Sequence, residues 1–346
     1  MQFNSLGQTD IQVSKLCLGT MTFGQQNSQN QAFRLLDMAF DAGINFVDTA
    51  EMYSFPASCD THGASEVILG NWMKARNNRD KVIISTKITG PGARFQHIRG
   101  GDLKFNKTHI QQAVKDSLNR LQTDYIDLYH THWPERSTNF FGQLDYTHDE
   151  NKQWTPFAEL LTAMGDEVIA GRLRAIAVSN ETPWGVLDLL RIAENQKLPR
   201  IAAIQNPYNL LCRPFEVGLS EIAIREQCGL LAYSPLAFGA LTGKYLNDAL
   251  PKKSRLKLFP EFKRYYKPLG IKATERYVNL AREHGLEPAV MALAFVNSKA
   301  FLTSNIIGAT TVEQLQQNLS SISVVLPNQV LQEIQNIHNE IPNPAP

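Results

Sequence analysis

The sequence is poor in cysteine and nearly free of net charge. Its four cysteines, Cys17, Cys59, Cys212 and Cys228, are scattered over 346 residues without a C-x-x-C pair. That spacing argues against a disulfide framework and fits reduced thiols of a cytoplasmic protein. The formal net charge is +1, with Lys and Arg dispersed along the chain. A nucleic-acid or membrane-surface face is therefore not expected, while a local phosphate site is compatible with it. No apolar run is long enough to span a bilayer. The opening MQFNSLGQTD has no basic segment followed by an apolar core, so no signal peptide is expected. There is no G-x-G-x-x-G fingerprint, so a Rossmann cofactor domain is not indicated. No low-complexity linker divides the chain, and residues 1–346 read as one domain.

What is present is an alternation of short apolar runs with helical periodicity. Residues 1–15 read as a hairpin turning at Leu6–Asp10. Strands are expected at 16–20, 44–48, 82–86, 125–131, 173–178, 201–205, 230–234 and 304–308. Helical spacing covers 30–42, 65–76, 156–170, 183–195, 216–227, 272–284, 288–298, 312–319 and 327–338. A further helix is expected to open at Thr108, with Gln111 completing a capping box. Near-continuously apolar strands suit a parallel sheet covered on both faces. Eight such units favour a single-domain (β/α)8 TIM barrel with an N-terminal hairpin and an extra C-terminal helix. Long loops near 54–64, 88–107, 135–154 and 235–270 would wall the C-terminal mouth.

The chemistry-bearing residues fall at those strand ends. Asp48 and Tyr53 lie in DTAEMY, Lys87 closes the next strand, and His132 the one after. A carboxylate and a phenol five residues apart, at the mouth of a buried strand, mark a proton-handling site. Tyr53 is a poor acid with a reference pKa of about 10. A neighbouring ammonium from Lys87 would lower that value, and Asp48 would pair with Lys87 and orient it. His130 and His132 also form an H-x-H pair. A metal site would need further ligands at other strand ends, so His130 reads better as a packed interior residue with a satisfied hydrogen bond.

GINFVDTAEMY, STK at 85–87, LQTDYIDLYHTHWP, GRLRAIAVSN, IQNPYNLL, AYSPLAFGALTGKY and GATTVEQLQQN together resemble the aldo-keto reductase family, and its bacterial Tas-like subgroup in particular. The resemblance runs nearly end to end. It implies a single-domain barrel, a small-molecule carbonyl substrate, no metal and a bound nicotinamide dinucleotide, with NADP(H) favoured. It carries the tetrad over onto Asp48, Tyr53, Lys87 and His132, which implies reduction of a carbonyl by hydride on carbon, with Tyr53 giving the proton to oxygen and His132 donating to that oxygen. It implies that Gly19, Thr20, Met21 and Asp48 border the cofactor, and that Ser179, Asn180 and Gln205 hold its carboxamide. Tyr233 would stack on the nicotinamide. Ser234, Pro235, Leu236, Ala237, Phe238, Gly239, Ala240, Leu241, Thr242, Gly243 and Lys244 would wrap the pyrophosphate, their small residues letting main-chain N–H groups approach. Gly308, Thr310, Gln314 and Asn318 would border the adenosine end. Many members carry Lys at the position of Gly308 and Arg at that of Gln314, cations that pair with the 2′-phosphate. Here both are neutral, and Arg255, with Lys252 and Lys253, is the expected substitute charge. The insertion 54–64 beside Tyr53 reads either as a gate or as a surface elaboration. The same resemblance admits a second role, a nicotinamide-binding sensor or regulatory subunit with slow turnover.

Overall fold

A computed structural model describes residues 1–346. β1 (Phe3–Ser5) and β2 (Gln12–Ser14) form an antiparallel hairpin. Its turn passes through Gly7 at φ 58°, where a Cβ would stand 2.6 Å from the Ala202 carbonyl. Sterics and dihedral both demand glycine there. Leu6, Ile11 and Val13 pack against Phe46, Leu128, Ala203 and Leu231 of the strands that follow. The hairpin therefore plugs the end at which those strands begin.

The strands are β3 (Leu16–Gly19), β4 (Phe46–Asp48), β5 (Ile83–Ile88), β6 (Ile126–Thr131), β7 (Leu173–Ser179), β8 (Ile201–Pro207), β9 (Leu230–Tyr233) and β10 (Leu302–Ile307). All neighbours pair in parallel, and β10 joins both β9 and β3, closing an eight-stranded barrel. Every residue of β6 and of β10 is buried, as a sheet covered on both faces requires. The surrounding helices are α1 (Gln29–Asp41), α2 (Ala64–Arg76), α3 (Lys107–Leu121), α4 (Phe157–Ile169), α5 (Pro183–Gln196) and α6 (Phe215–Arg225). The short α7 (Arg255–Leu258), then α8 (Pro268–Glu283), α9 (Pro288–Asn297), α10 (Val312–Ser320) and α11 (Asn328–Glu340) complete the chain.

Two local expectations are corrected. α3 opens one residue before Thr108, because the Asn106 carboxamide accepts from His109 N at 3.0 Å and is the cap. The capping box belongs instead to α1, where Ser28 and Gln31 satisfy each other's end groups. Strand β5 also runs beyond residue 86 to Ile88, so Lys87 lies within the ladder, in register with His130.

Candidate active site

Asp48 ends β4 and sits beside Ser85 of β5. Its Oδ2 accepts from Lys87 Nζ at 2.7 Å, and Lys87 Nζ also donates to the Thr49 carbonyl at 2.6 Å. Asp48 Oδ1 accepts from Ser85 Oγ at 2.8 Å and from Gln205 Nε2 at 2.9 Å. Lys87 is 0 % and Asp48 4 % exposed. A buried ion pair is tolerated when further donors saturate it, and here they do. Tyr53 lies half-buried above, its ring centroid 5.4 Å from Lys87 Nζ and 5.6 Å from the His132 ring. The four side chains thus converge at the mouth where the strands end.

The expected lowering of the Tyr53 phenol by Lys87 is not what the structure shows. Burial first, then the charges of Asp48 and Tyr233, push it above the ordinary phenol value, and the opposing cation is Arg255. Lys87 aims its ammonium at Asp48 and Thr49. Tyr53 is therefore held as a neutral phenol, the form that can give a proton. Burial, and then Lys87 and His130, hold the His132 imidazole well below its usual range, so the ring is neutral. Its Nδ1 is buried without a hydrogen-bond partner. His130 is half satisfied: Nε2 lies 2.9 Å from Ser85 Oγ, while Nδ1 is unpartnered. No three His, Cys, Asp or Glu side chains converge as a metal cage would require.

A second ring of charges fixes the segment between Asp48 and Tyr53. Buried Glu51 is bridged twice by Arg99, at 2.7 and 2.8 Å, and accepts from Thr89 N. Buried Glu66 accepts from Thr86 Oγ1 and Arg120 Nε, each at 2.6 Å. The insertion after Tyr53 is anchored at its start. Ser54 Oγ donates to the Phe23 carbonyl, Phe55 N donates to Met21 O at 3.0 Å, and the Phe55 ring lies 5.3 Å from Phe262. Its far part, Cys59 and Asp60, is exposed. Sequence reasoning missed Glu51, Glu66, Arg99 and Arg120. The one available signal was two carboxylates, Glu51 and Glu66, inside otherwise apolar stretches.

The loop after β9 curls through positive φ at Ser234, Ala237, Phe238 and Gly239. The main-chain N–H groups of Leu236 and Phe238 find no acceptor in the chain. Lys244 lies over the Tyr245 ring and Arg255 over the Phe238 ring, at 5.2 and 4.8 Å. Burial lowers both cations, and no carboxylate is among the charges acting on either.

Residues 15–339 match the model of the aldo/keto reductase family. The chain belongs to that family. It is similar to "Protein tas" of Escherichia coli (strain K12), 46% identical with all of both chains covered. It is similar to "Uncharacterized oxidoreductase YrpG" of Bacillus subtilis (strain 168), 32% identical over 97% of this chain and 96% of that one. It also resembles an "Aldo-keto reductase" of Babesia bovis, 36% identical over 75% of this chain and 96% of that one. Membership makes the protein an oxidoreductase, and the family acts on small-molecule carbonyl compounds. No helix is long and apolar enough to cross a membrane.

In this aldo/keto reductase the remaining sequence-predicted positions fall into two separate groups. Tyr233 donates its hydroxyl to Asn180 Oδ1 at 2.6 Å, and Asn180 Nδ2 donates to the His132 carbonyl at 2.9 Å. Ser179 Oγ donates to the Gln205 carbonyl at 2.8 Å, and Gln205 reaches Asp48 as above. Gly19 stands against Ile306, and the Thr20 hydroxyl donates to the Asp48 carbonyl at 3.0 Å. At the other end of the mouth, Gln314 Oε1 accepts from Thr310 N and Oγ1, and Asn318 Nδ2 donates to the Gly308 carbonyl. These side chains brace the β10–α10 turn through Gln314 Oε1, Thr310 Oγ1 and Asn318 Nδ2.

Proposed function

We propose that the protein reduces aldehydes or ketones to alcohols with NADP(H), Tyr53 giving the proton. The observation that carries this reading is the convergence of Tyr53 and His132 over the buried Asp48–Lys87 pair, at the barrel mouth. His132 is neutral and can donate from one ring nitrogen to a carbonyl oxygen, drawing charge toward the position that Tyr53 protonates. Lys87 and Asp48 keep the floor of the site rigid and dry. Bound NADPH supplies the hydride.

The residues present fit that cofactor. Orphaned N–H groups at Leu236 and Phe238, with the unpaired Lys244 and Arg255, suit phosphate oxygens. Gln205, Asn180 and Ser179 bear the donors and acceptors an amide ligand needs. Tyr233 offers a ring face beside them. Arg255 is the cation best shaped for a 2′-phosphate, since its planar fork matches phosphate oxygens.

The test is multiple-turnover oxidation of NADPH with a panel of aldehydes and ketones, in wild type and in Tyr53→Phe. The variant is expected to keep its fold and its cofactor affinity and to lose about 10²–10⁴-fold in turnover, the usual contribution of a general acid. Near wild-type turnover in the variant overturns the assignment of Tyr53. A single turnover without cycling in wild type would favour the sensor role instead.

A further inference from the structure

The small net charge conceals an uneven distribution. Residues 252–267 carry seven of the Lys and Arg and a single carboxylate, Glu261, while the rest of the molecule is net acidic. Arg264 is engaged by Pro346 at 2.9 Å. Lys252, Lys253, Lys257, Lys263 and Lys267 are all exposed. None of them forms an ion pair, although Lys87, Lys104, Lys107 and Lys299 elsewhere do. A cation with a carboxylate beside it has little field at a distance, whereas a run of unpaired cations sums its field outward. Like charges gathered in one loop also repel each other and weaken the compact state. Their grouping calls for a partner of opposite sign.

Aromatic contacts hold this run at the barrel mouth. Phe262 lies 5.8 Å from Phe238 and 5.3 Å from Phe55. Tyr265 lies 5.0 Å from Phe238, and Tyr266 lies 4.9 Å from Tyr245. The segment thus leans on the loop whose Leu236 and Phe238 N–H groups are free, and it reaches the insertion beside Tyr53. Lys263 directly follows Phe262, and Lys253 and Lys257 flank Arg255, whose guanidinium lies over the Phe238 ring at 4.8 Å. The lysines therefore stand beside the place proposed for the phosphates while remaining in solvent. Exposed and hydrated, they add little as contacts. What they retain is a field, screened over about 8 Å at physiological ionic strength.

We propose that residues 252–267 form an electrostatic funnel that speeds capture of the dinucleotide phosphates, so that part of the preference for NADPH over NADH is exerted on the rate of association. The inference rests on the NADP(H) reading. Both dinucleotides carry a pyrophosphate, and NADPH adds the 2′-phosphate, so the same field draws NADPH more strongly. Arg255 then makes the contact that the bound 2′-phosphate keeps. In this division the absence of cations at Gly308 and Gln314 is offset before contact and not after it.

The experiment follows the quench of tryptophan fluorescence when the protein is mixed rapidly with NADPH or NADH. In wild type the association rate of NADPH should fall about ten-fold between about 20 and about 300 mM NaCl, and that of NADH by less, with both dissociation rates nearly constant. A variant combining Lys252→Gln, Lys253→Gln, Lys257→Gln, Lys263→Gln and Lys267→Gln should associate with NADPH about ten-fold more slowly at low salt. Its salt dependence should be flatter and its dissociation rate unchanged. The double variant Lys257→Glu with Lys263→Glu should also slow association, and it decides the matter if the multiple variant fails to fold. An unchanged association rate, or a change confined to dissociation, overturns the inference, because the lysines are then bystanders or ordinary contacts. Equal salt slopes for NADPH and NADH in wild type overturn it as well. Tight NADPH binding with a salt-independent association rate sinks this inference alone. Failure of both dinucleotides to bind removes the cofactor reading and this one with it.

Discussion

Gly308 decides how strongly the adenosine end can hold a third phosphate. It follows β10 and is exposed, and a Cβ built on it meets nothing within 4 Å. Sterics therefore do not explain the absence of a lysine there, and one can be added without strain. With Gly308 and Gln314 neutral, the proposed preference for NADPH depends on Arg255. Gly308→Lys should tighten NADPH by about ten-fold while leaving NADH unchanged, since a solvent-facing charge pair contributes at the low end of the range. Fluorescence titration of both cofactors measures this, and an unchanged ratio would place the 2′-phosphate elsewhere. At this scale the sequence was legible where a residue type has one plausible use at a strand end: Asp48, Tyr53, Lys87 and His132, named from the sequence, lie together in the structure. It was not legible where direction matters. Lys87 had Tyr53 within reach but bonds Asp48 and the Thr49 carbonyl, a choice set by tertiary geometry.

The segment between β4 and α2 behaves as one element although it has no regular structure. Glu51 ties it to the β5–α3 loop through Arg99 and Thr89, and it also donates its N–H to the Lys87 carbonyl at 3.2 Å. Burial alone would raise the Glu51 carboxyl, but Arg99 holds it below the usual range. Arg99→Met leaves that carboxylate buried and unpaired, which typically costs about 3–5 kcal/mol. Urea unfolding should show this loss. The double variant with Glu51→Met should recover part of it, because it removes the uncompensated charge. Additive losses would mean that the pair does not couple. Activity should fall as well, since Tyr53 is carried by the same segment. Elements with periodic cores were placed within a residue or two by sequence, as in α1 and α4. Caps were harder: Asn106 and Thr108 both suit an N-cap, and which one the chain selects depends on where the loop from β5 arrives. The β9–α8 connection read as unstructured, but it folds into short helical turns at Ala237–Thr242, Arg255–Leu258 and Arg264–Tyr266, too short for any periodic signal.

Across the whole molecule, two neutral imidazoles lie in a barrel interior already charged by Lys87. Burial, then Lys87, hold both His130 and His132 well below the ordinary value of 6.5. In the unfolded chain both rings regain that ordinary value. Between the depressed folded pKa and 6.5 the unfolded state therefore binds more protons, and stability falls as the pH falls. At pH 5.5, one unit below the free imidazole, each ring costs on the order of 1 kcal/mol of stability. Glu51 acts in the same direction at lower pH: its depressed carboxyl stabilises the fold above the unfolded value of 4.5 and loses that contribution as it is protonated. Neutral His132 is also the form that can donate to a carbonyl while keeping an acceptor nitrogen, so the site should remain competent down to the pH at which the fold itself gives way. The expected outcome is a thermal midpoint that falls steadily between pH 7 and 5, with a shallower slope in His132→Gln, which removes one of the depressed rings. Equal slopes in wild type and variant would show that His132 titrates alike in the folded and unfolded chains, and the neutral, carbonyl-facing imidazole would have to be abandoned.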